Sequence, residues 1–285
     1  MYPKVSIVVP NYNHQEFLKV RLDSIFNQTF QDFEVLIFDD ASSDDSLLIL
    51  NEYKSNLKVT HFVINSINSG SPFKNWKEGM RLASGQYIWI AETDDFAATD
   101  FLEQQLKAID NHCVAVAKTI VVNDFTISQT EVCHPAFEKN TSIVLQAKQF
   151  LTSPIKNVSC ILFQKPSQKE LEAMIFDSFP LMGDQVFYYE YFKDKKLIFN
   201  QNTTAYFRRI SNSLSNFNQN KGLNYFINYY NQHKRFSTLL ENEIAKEKIK
   251  KYNQKHFNKI RNNASFQQKF SLKYLWIILK HFLNR

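Results

Sequence analysis

Glu92, Asp94 and Asp95 crowd three acidic side chains into four positions, directly after the apolar run Tyr87-Ile88-Trp89-Ile90-Ala91. A strand that ends this way brings carboxylates together at its C-terminal end. Their mutual repulsion pushes at least one toward protonation. A divalent cation or a cationic partner relieves that repulsion. In open α/β sheets the carboxyl ends of strands are also where ligands bind. The same residues fit a polar turn leading into a helix N-cap, since Thr99 and Asp100 follow closely. A second acidic pair, Asp39-Asp40, closes the apolar run Phe33–Phe38 in the same manner, with helix capping as its plainer role.

The elements that position these carboxyls alternate. Val5–Val9 reads as a strand covered on both faces, followed by the loop Pro10-Asn11-Tyr12-Asn13-His14. Phe17, Leu18, Leu22, Ile25 and Phe26 recur at helical spacing. Ser42, Ser43 and Asp44 can cap a second helix carrying Leu47, Leu48 and Leu50. A third strand spans Val59–Ile64, and a helix over Lys74–Ala83 stops at Gly85 as a C-cap. The fourth strand runs into the acidic cluster. Repeated strand, loop and helix predict an α/β fold with a mostly parallel sheet. Further strands are predicted at Val114–Val122, Val158–Phe163, Ile198–Phe199 and Ala205–Phe207, and a helix over Gly183–Lys193. From Gly222 onward the chain is helical and basic. A boundary is expected near 215, with residues 1–215 as one domain (halves 1–110 and 111–215) and 216–285 as a helical extension.

The chain has 285 residues, a hydrophobic fraction of 44%, and only 5 Gly and 7 Pro, which supports a packed core over disorder. Three widely spaced cysteines, Cys113, Cys133 and Cys160, show no metal-binding spacing and suit a reducing cytosol. The Met1-Tyr2-Pro3-Lys4 start reads as free of a signal peptide, and the late apolar run Tyr274–Leu279 is too short to span a bilayer. The net charge of +6 conceals an asymmetry: residues 1–190 hold 15 Lys and Arg against 24 Asp and Glu, residues 191–285 hold 19 against 4. The basic tail is expected to meet something anionic. The acidic body disfavours nucleic acid. No G-x-G-x-x-G or Walker A motif is present, so a nucleotide here would be handled by carboxylates.

Four segments in order resemble family 2 glycosyltransferases of the GT-A fold. These are Val5-Ser6-Ile7-Val8-Val9-Pro10-Asn11-Tyr12-Asn13; Ser24–Phe30 with Phe33-Glu34-Val35; Phe38-Asp39-Asp40-Ala41-Ser42, a DDGS motif with Ala for Gly; and Gly85-Gln86-Tyr87-Ile88 leading to Glu92-Thr93-Asp94-Asp95. Glu92 stands where aspartate is commoner. The resemblance is dense over residues 4–102 and thin onward to Gly183-Asp184. It implies an inverting transferase that moves a sugar from a UDP- or dTDP-sugar to a glycan or lipid-linked glycan acceptor, in surface polysaccharide or glycolipid synthesis.

The resemblance makes Asp95 the ligand of a Mn²⁺ or Mg²⁺ ion in an open cleft and Asp94 a ribose contact or second metal ligand. Asp40 would accept a hydrogen bond from the ring N–H of the base, and Tyr12, beside Pro10, would stack on it. Asp184 becomes the general base, with a first-turn helix acid as its plainer role. Lys74 is in reach of a phosphate or lies on a solvated helix face. Arg208-Arg209 with Asn212-Ser213-Leu214-Ser215 resembles a segment that closes over the diphosphate, and Arg209 is the expected contact. Ile210 stands where many members carry a histidine, which leaves a third metal ligand unsupported there. The seven histidines read as ordinary residues. A sugar nucleotidyltransferase is disfavoured because Pro10–His14 is not a glycine-rich basic loop; a non-catalytic nucleotide-sugar or nucleic-acid binding module is the remaining alternative. In residues 262–285, Phe266, Phe270, Tyr274, Ile277 and Ile278 share a helical face flanked by Lys269, Lys273 and Lys280. This suits a cytoplasmic protein that lies on an anionic inner membrane surface. Packing on the catalytic domain or on a partner in a homo-oligomer is the alternative.

Overall fold

Val5–Asn11 (β1) and Phe33–Asp39 (β2) are runs in which every residue is buried. Strands hidden on both faces need helices on each side, which puts these two in the middle of a layered sheet. The computed structural model describes residues 2–110, 112–137, 141–210 and 222–283. The chain divides into two compact units, Met1–Ile210 and Ser211–Arg285. The boundary expected at 215, and the segment Asn212–Ser215, lie outside the described residues.

In the first unit, α1 (Gln15–Phe26) joins β1 to β2, and α2 (Ser46–Tyr53) leads to β3 (Val59–Ile64). Next come α3 (Pro72–Leu82), β4 (Tyr87–Ile90), the short β5 (Phe96–Ala97), α4 (Phe101–Ile109), β6 (Val114–Asn123), β7 (Thr126–Glu131), β8 (Ser142–Val144) and β9 (Ile161–Gln164). The unit closes with α5 (Gln168–Ala173), α6 (Gly183–Phe192) and β10 (Lys196–Arg209). The sheet order is β3-β2-β1-β4-β9-β6-β10-β5, with β7 on β6 and β8 on β10. Strands β1 to β4 are mutually parallel, β6 is parallel to β10, and β9 runs antiparallel between β4 and β6. Strands β1 to β4, β6 and β10 therefore share one direction, as the alternating pattern predicts.

Backbone bookkeeping explains how β1 tolerates a proline. The Val8 carbonyl bonds toward β4 and the Asn11 carbonyl toward β2. Pro10 shares the parity of Val8, and the pairing with β4 ends at Val8 with Ile90, so its missing N–H interrupts no ladder. Gly85 is not the cap of α3; that helix ends at Ala83. Its role is close approach: a Cβ on Gly85 would lie 2.7 Å from the Ser6 nitrogen and 2.8 Å from the Val5 carbonyl carbon. The Gly85 N–H and the Glu34 carboxylate both bond the Ser6 hydroxyl there (2.8 and 2.6 Å). Burial opposes the Glu34 charge, but bonds from Ser6, Ser84 and Thr60 outweigh it and hold its pKa below the usual range.

Two strand predictions shift. Val158–Cys160 is a 3-10 turn, because the Asn157 side chain caps it by accepting from the Ser159 N–H, and the strand begins at Ile161. The two short strands at 198–199 and 205–207 are parts of β10, interrupted by a bulge between Asn200 and Thr204. Asn200 fills that bulge by bonding the Gln104 carbonyl and the Gln105 side chain.

The second unit holds α7 (Leu223–Leu240), α8 (Lys246–Asn263), α9 (Phe266–Lys269) and α10 (Leu272–Leu283). Its core gathers Phe226 and Tyr230 from α7, Phe257 and Ile260 from α8, and Tyr274 and Ile277 from α10. The expected single apolar face of the tail is thus corrected: Tyr274 and Ile277 point into their own unit, while Phe266 and Phe270 are exposed. Among the described residues, no helix is long and apolar enough to cross a membrane.

Gly85→Ala is expected to destabilise the protein by about 1–3 kcal/mol, because backbone atoms cannot yield as a flexible side chain can. Thermal unfolding of the variant reads this; an unchanged midpoint would contradict the close approach.

Candidate active site

Buried strands that point one way deliver their C-terminal ends to one edge, and there β4 gives way to Glu92-Thr93-Asp94-Asp95. Past Ile90 the chain makes a turn at Thr93-Asp94, with the Asp95 N–H bonding the Glu92 carbonyl at 3.2 Å; residues 91, 93 and 95 are buried, and residues 92, 94 and 96 are partly open. Asp95 is 3% exposed. Its Oδ1 accepts from the Arg208 N–H at 2.9 Å and its Oδ2 from the Asn157 side chain at 3.0 Å. The expectation that Asp95 opens into a cleft is therefore not met. The turn faces it inward and leaves Asp94, partly open, as the more outward carboxyl of the two.

Arg21 lies beneath this turn and was missed in the sequence. It is fully buried on α1, donates from Nε to the Glu92 carbonyl oxygen at 2.8 Å, and stacks over the Trp89 ring at 5.0 Å. Its two terminal nitrogens have no hydrogen-bond partner among the described residues. A signal was available: buried Phe17, Leu18, Leu22 and Ile25 define the inner face of α1, and position 21 falls on it. Burial lowers Arg21 to about 10, while Asp95, Asp94 and Glu92 pull it upward, so it stays cationic near neutrality. The acids respond to the same surroundings. Burial, then Asp94, pushes Glu92 up to about 8, against the Trp76 indole N–H that donates to its Oε1 at 2.6 Å. Burial, then Asp94, raises Asp95 to about 7, and burial raises Asp94 as well. Near neutrality the three carboxyls do not all carry charge at once.

Arg208 supplies the second cation. Its Nε donates to the Asp94 carbonyl oxygen at 2.8 Å, and its guanidinium packs on Phe17 at 4.5 Å. Arg209, the expected contact, is exposed on the opposite face of β10 and is not brought to this turn. His14, read as ordinary, pairs its Nδ1 with the Thr93 hydroxyl at 2.8 Å.

The end of β2 forms the neighbouring wall. Asp39 caps no helix; it clamps the following loop, accepting from the Ser42 N–H (2.9 Å), the Ser42 hydroxyl (2.6 Å) and the Asn11 amide (2.8 Å). Ala41, where the family motif has glycine, sits at φ +62°, a region that disfavours a Cβ. Asp40 accepts from Asn65 at 2.7 Å and from the N–H and hydroxyl of Ser69 at about 3 Å. The Ser69 N–H reaches both oxygens, so each of them already accepts two contacts. Asp40 thus orders the segment leading to Ser71, the N-cap of α3. Tyr12 is 45% exposed just beyond β1, next to buried Pro10. Lys74 is exposed in the first turn of α3.

Asp184 occupies the first turn of α6. Gly183 before it is required, since a Cβ would meet the Phe73 ring at 2.4 Å. Burial raises the Asp184 pKa, and Lys156 partly offsets this. One turn on, Phe187 meets Trp76 edge-on at 6.3 Å, and Trp76 donates to Glu92, so α6, α3 and the acidic turn are tied together. The Tyr188 hydroxyl is buried nearby with no partner among the described residues, held neutral by burial, Asp184, Cys160 and Glu92.

The family model for glycosyl transferase family 2 matches residues 6–171, more than half of the chain. The chain belongs to glycosyl transferase family 2. Among curated relatives, a poly(ribitol-phosphate) beta-glucosyltransferase of Bacillus spizizenii is 37% identical over 101 residues, 35% of this chain and 16% of that protein. A GalNAc(5)-diNAcBac-PP-undecaprenol beta-1,3-glucosyltransferase of Campylobacter jejuni is 28% identical over 165 residues, 57% of this chain and 52% of that protein. The matches thus span well under two thirds of both relatives. The crystal structure of S. aureus TarS 1–349 in complex with UDP superposes at TM-score 0.64 and 21% identity, covering 95% of this chain and 75% of that one. At that identity the likeness shows the fold, which is the GT-A arrangement.

Family 2 membership raises the question of a divalent cation. Among the described residues, no three His, Cys, Asp or Glu side chains are grouped to hold one. A hard cation that draws most of its shell from phosphate and water needs only one or two carboxylates. Outward Asp94 fits that demand better than Asp95, whose oxygens are engaged within the protein.

Arg21→Met is expected to destabilise the fold by about 3–5 kcal/mol by leaving buried carboxyls uncompensated. Glu92 rises from 4.5 to about 8 on folding, so the folded state binds the extra proton and stability falls as pH climbs through that window. Without Arg21 the acids rise further, and the loss of melting temperature should be larger at pH 8 than at pH 5.5. A deficit independent of pH would contradict this.

Proposed function

We propose that the chain is an inverting glycosyltransferase that moves a sugar from a UDP- or dTDP-sugar to a hydroxyl of a glycan or lipid-linked glycan acceptor, in surface polysaccharide or glycolipid synthesis. The observation that carries this reading is the acidic turn, with Asp94 outward, bound through Glu92 and Trp76 to the helix that bears Asp184. The relatives that act on poly(ribitol-phosphate) and on an undecaprenol-linked glycan support the acceptor class, and the UDP complex of TarS supports the nucleotide.

The proposed chemistry is a single displacement. The Asp184 carboxylate takes the proton of the acceptor hydroxyl as its oxygen bonds the anomeric carbon. The bond from that carbon to the diphosphate oxygen breaks, and the nucleoside diphosphate leaves with the electron pair. Partial burial strengthens Asp184 as a base by raising its pKa. Asp94, with Asp95 behind it, would hold Mn²⁺ or Mg²⁺. When bound, the ion supplies positive charge to the leaving diphosphate. Tyr12 offers an exposed ring for the base, and Asp40 is the candidate acceptor for the imide N–H of uracil or thymine, in exchange for a contact it now makes within the protein. Lys74 is the candidate phosphate contact, and Arg208 takes the place of Arg209 as the cation at the turn. A peripheral position at an anionic membrane belongs to the same reading, since lipid-linked acceptors lie there.

Asp184→Asn is expected to reduce sugar transfer by at least about a hundredfold and to leave nucleotide affinity unchanged. Transfer assays beside nucleotide titrations read the two effects separately. Retained turnover would remove Asp184 from the role of base.

A further inference from the structure

The last helix carries two apolar faces. Tyr274 and Ile277 enter the core of the second unit, and the His281 ring lies flat on Phe257 at 3.8 Å, so this face of α10 is consumed by its own unit. Leu272, Leu275, Trp276 and Leu279 follow the i, i+3, i+4, i+7 spacing of a separate stripe. They are 85%, 53%, 54% and 57% exposed. Phe266 and Phe270, packed edge to face at 4.9 Å, are exposed just before it. Isolated exposed apolar residues are ordinary, but six within fourteen positions form a patch that needs an occupant.

The charge around the patch selects that occupant. Residues 264–285, the segment that carries the patch, contain four Lys and Arg and no Asp or Glu. Lys269, Lys273 and Lys280 are neighbours of the stripe in sequence, and the Lys280 ammonium lies 4.7 Å from the centre of the Trp276 ring. An apolar strip that includes an amphipathic Trp, with lysines near it in sequence, matches the boundary between acyl chains and anionic headgroups. A second copy of this chain would set the same basic surface against itself. We propose that the outer face of α10, with Phe266 and Phe270, is an interfacial surface that docks the protein on an anionic bilayer. The proposal specifies the peripheral placement given above and rests on it, while the docking itself requires neither donor nor acceptor.

Vesicle flotation of the full chain, without nucleotide, tests it. Vesicles of phosphatidylcholine alone are compared with vesicles holding phosphatidylglycerol as the anionic component. Co-flotation with the anionic vesicles, weakened by high salt, is expected. Trp76 and Trp89 are buried and Trp276 is exposed, so emission should shift to the blue on binding, and Trp276→Phe should remove the shift while keeping flotation. The double variant Leu275→Ser with Leu279→Ser, both on the exposed face, should bind at least about tenfold more weakly while its melting temperature and UDP affinity stay unchanged. Equal flotation of wild type and double variant, or flotation indifferent to anionic lipid, would overturn the proposal. So would a lipid-free dimer in light scattering that the double variant dissolves, which would assign the face to a second copy. Loss of UDP binding in the wild type would count against the transferase reading and leave the docking result standing.

Discussion

The site depends on how three neighbouring carboxyls are kept together at the end of a buried strand. Repulsion and desolvation both oppose their ionisation, and burial pushes Glu92 and Asp95 far above the ordinary carboxylate range. Arg21 answers from below, through the Glu92 carbonyl and the Trp89 face, and Arg208 from the side, through the Asp94 carbonyl and an Asp95 oxygen. These contacts fix the backbone of the turn as well as its charge. The turn is therefore preorganised by the protein itself, and an incoming cation with its diphosphate would meet a group already held in place.

The rest of the first unit transmits that order. Trp76 connects the turn to α3, Phe187 connects Trp76 to α6, and Asp40 pins the loop from which α3 starts. At the far end of the sheet, Glu34 and Gly85 lock β1 and β2 against the start of β4. The acidic turn and this structural lock are thus separated by the length of the strands. This arrangement lets the acidic turn carry unfavourable charge without weakening the middle of the sheet.

What was legible in the sequence follows from period and composition. Mainly apolar runs such as Val5–Val9 and Phe33–Phe38 read as central strands, and the carboxyls after them had to emerge at one edge. Arg21 was illegible because reading a helical stripe by its apolar members passes over a charged residue on the same face. The choice between Arg208 and Arg209 was illegible because a bulge at Asn200–Thr204 sets the parity of everything after it in β10. The turn at Thr93-Asp94, closed by the Asp95 N–H on the Glu92 carbonyl, decides which of Asp94 and Asp95 is buried, which chemistry alone left open. In the tail, both faces of α10 are apolar, so composition could not distinguish the one that enters the unit core from the one that remains outside.

The central claim is that Asp94, held outward over buried cations, is where a divalent ion and a pyrimidine diphosphate meet the protein. Calorimetric titration of UDP into the wild-type chain and into Asp94→Asn, each with and without Mn²⁺, tests it most directly. Manganese is expected to tighten UDP binding in the wild type and to lose that effect in Asp94→Asn. UDP affinity that ignores manganese in the wild type, or an undiminished manganese effect in the variant, would contradict it.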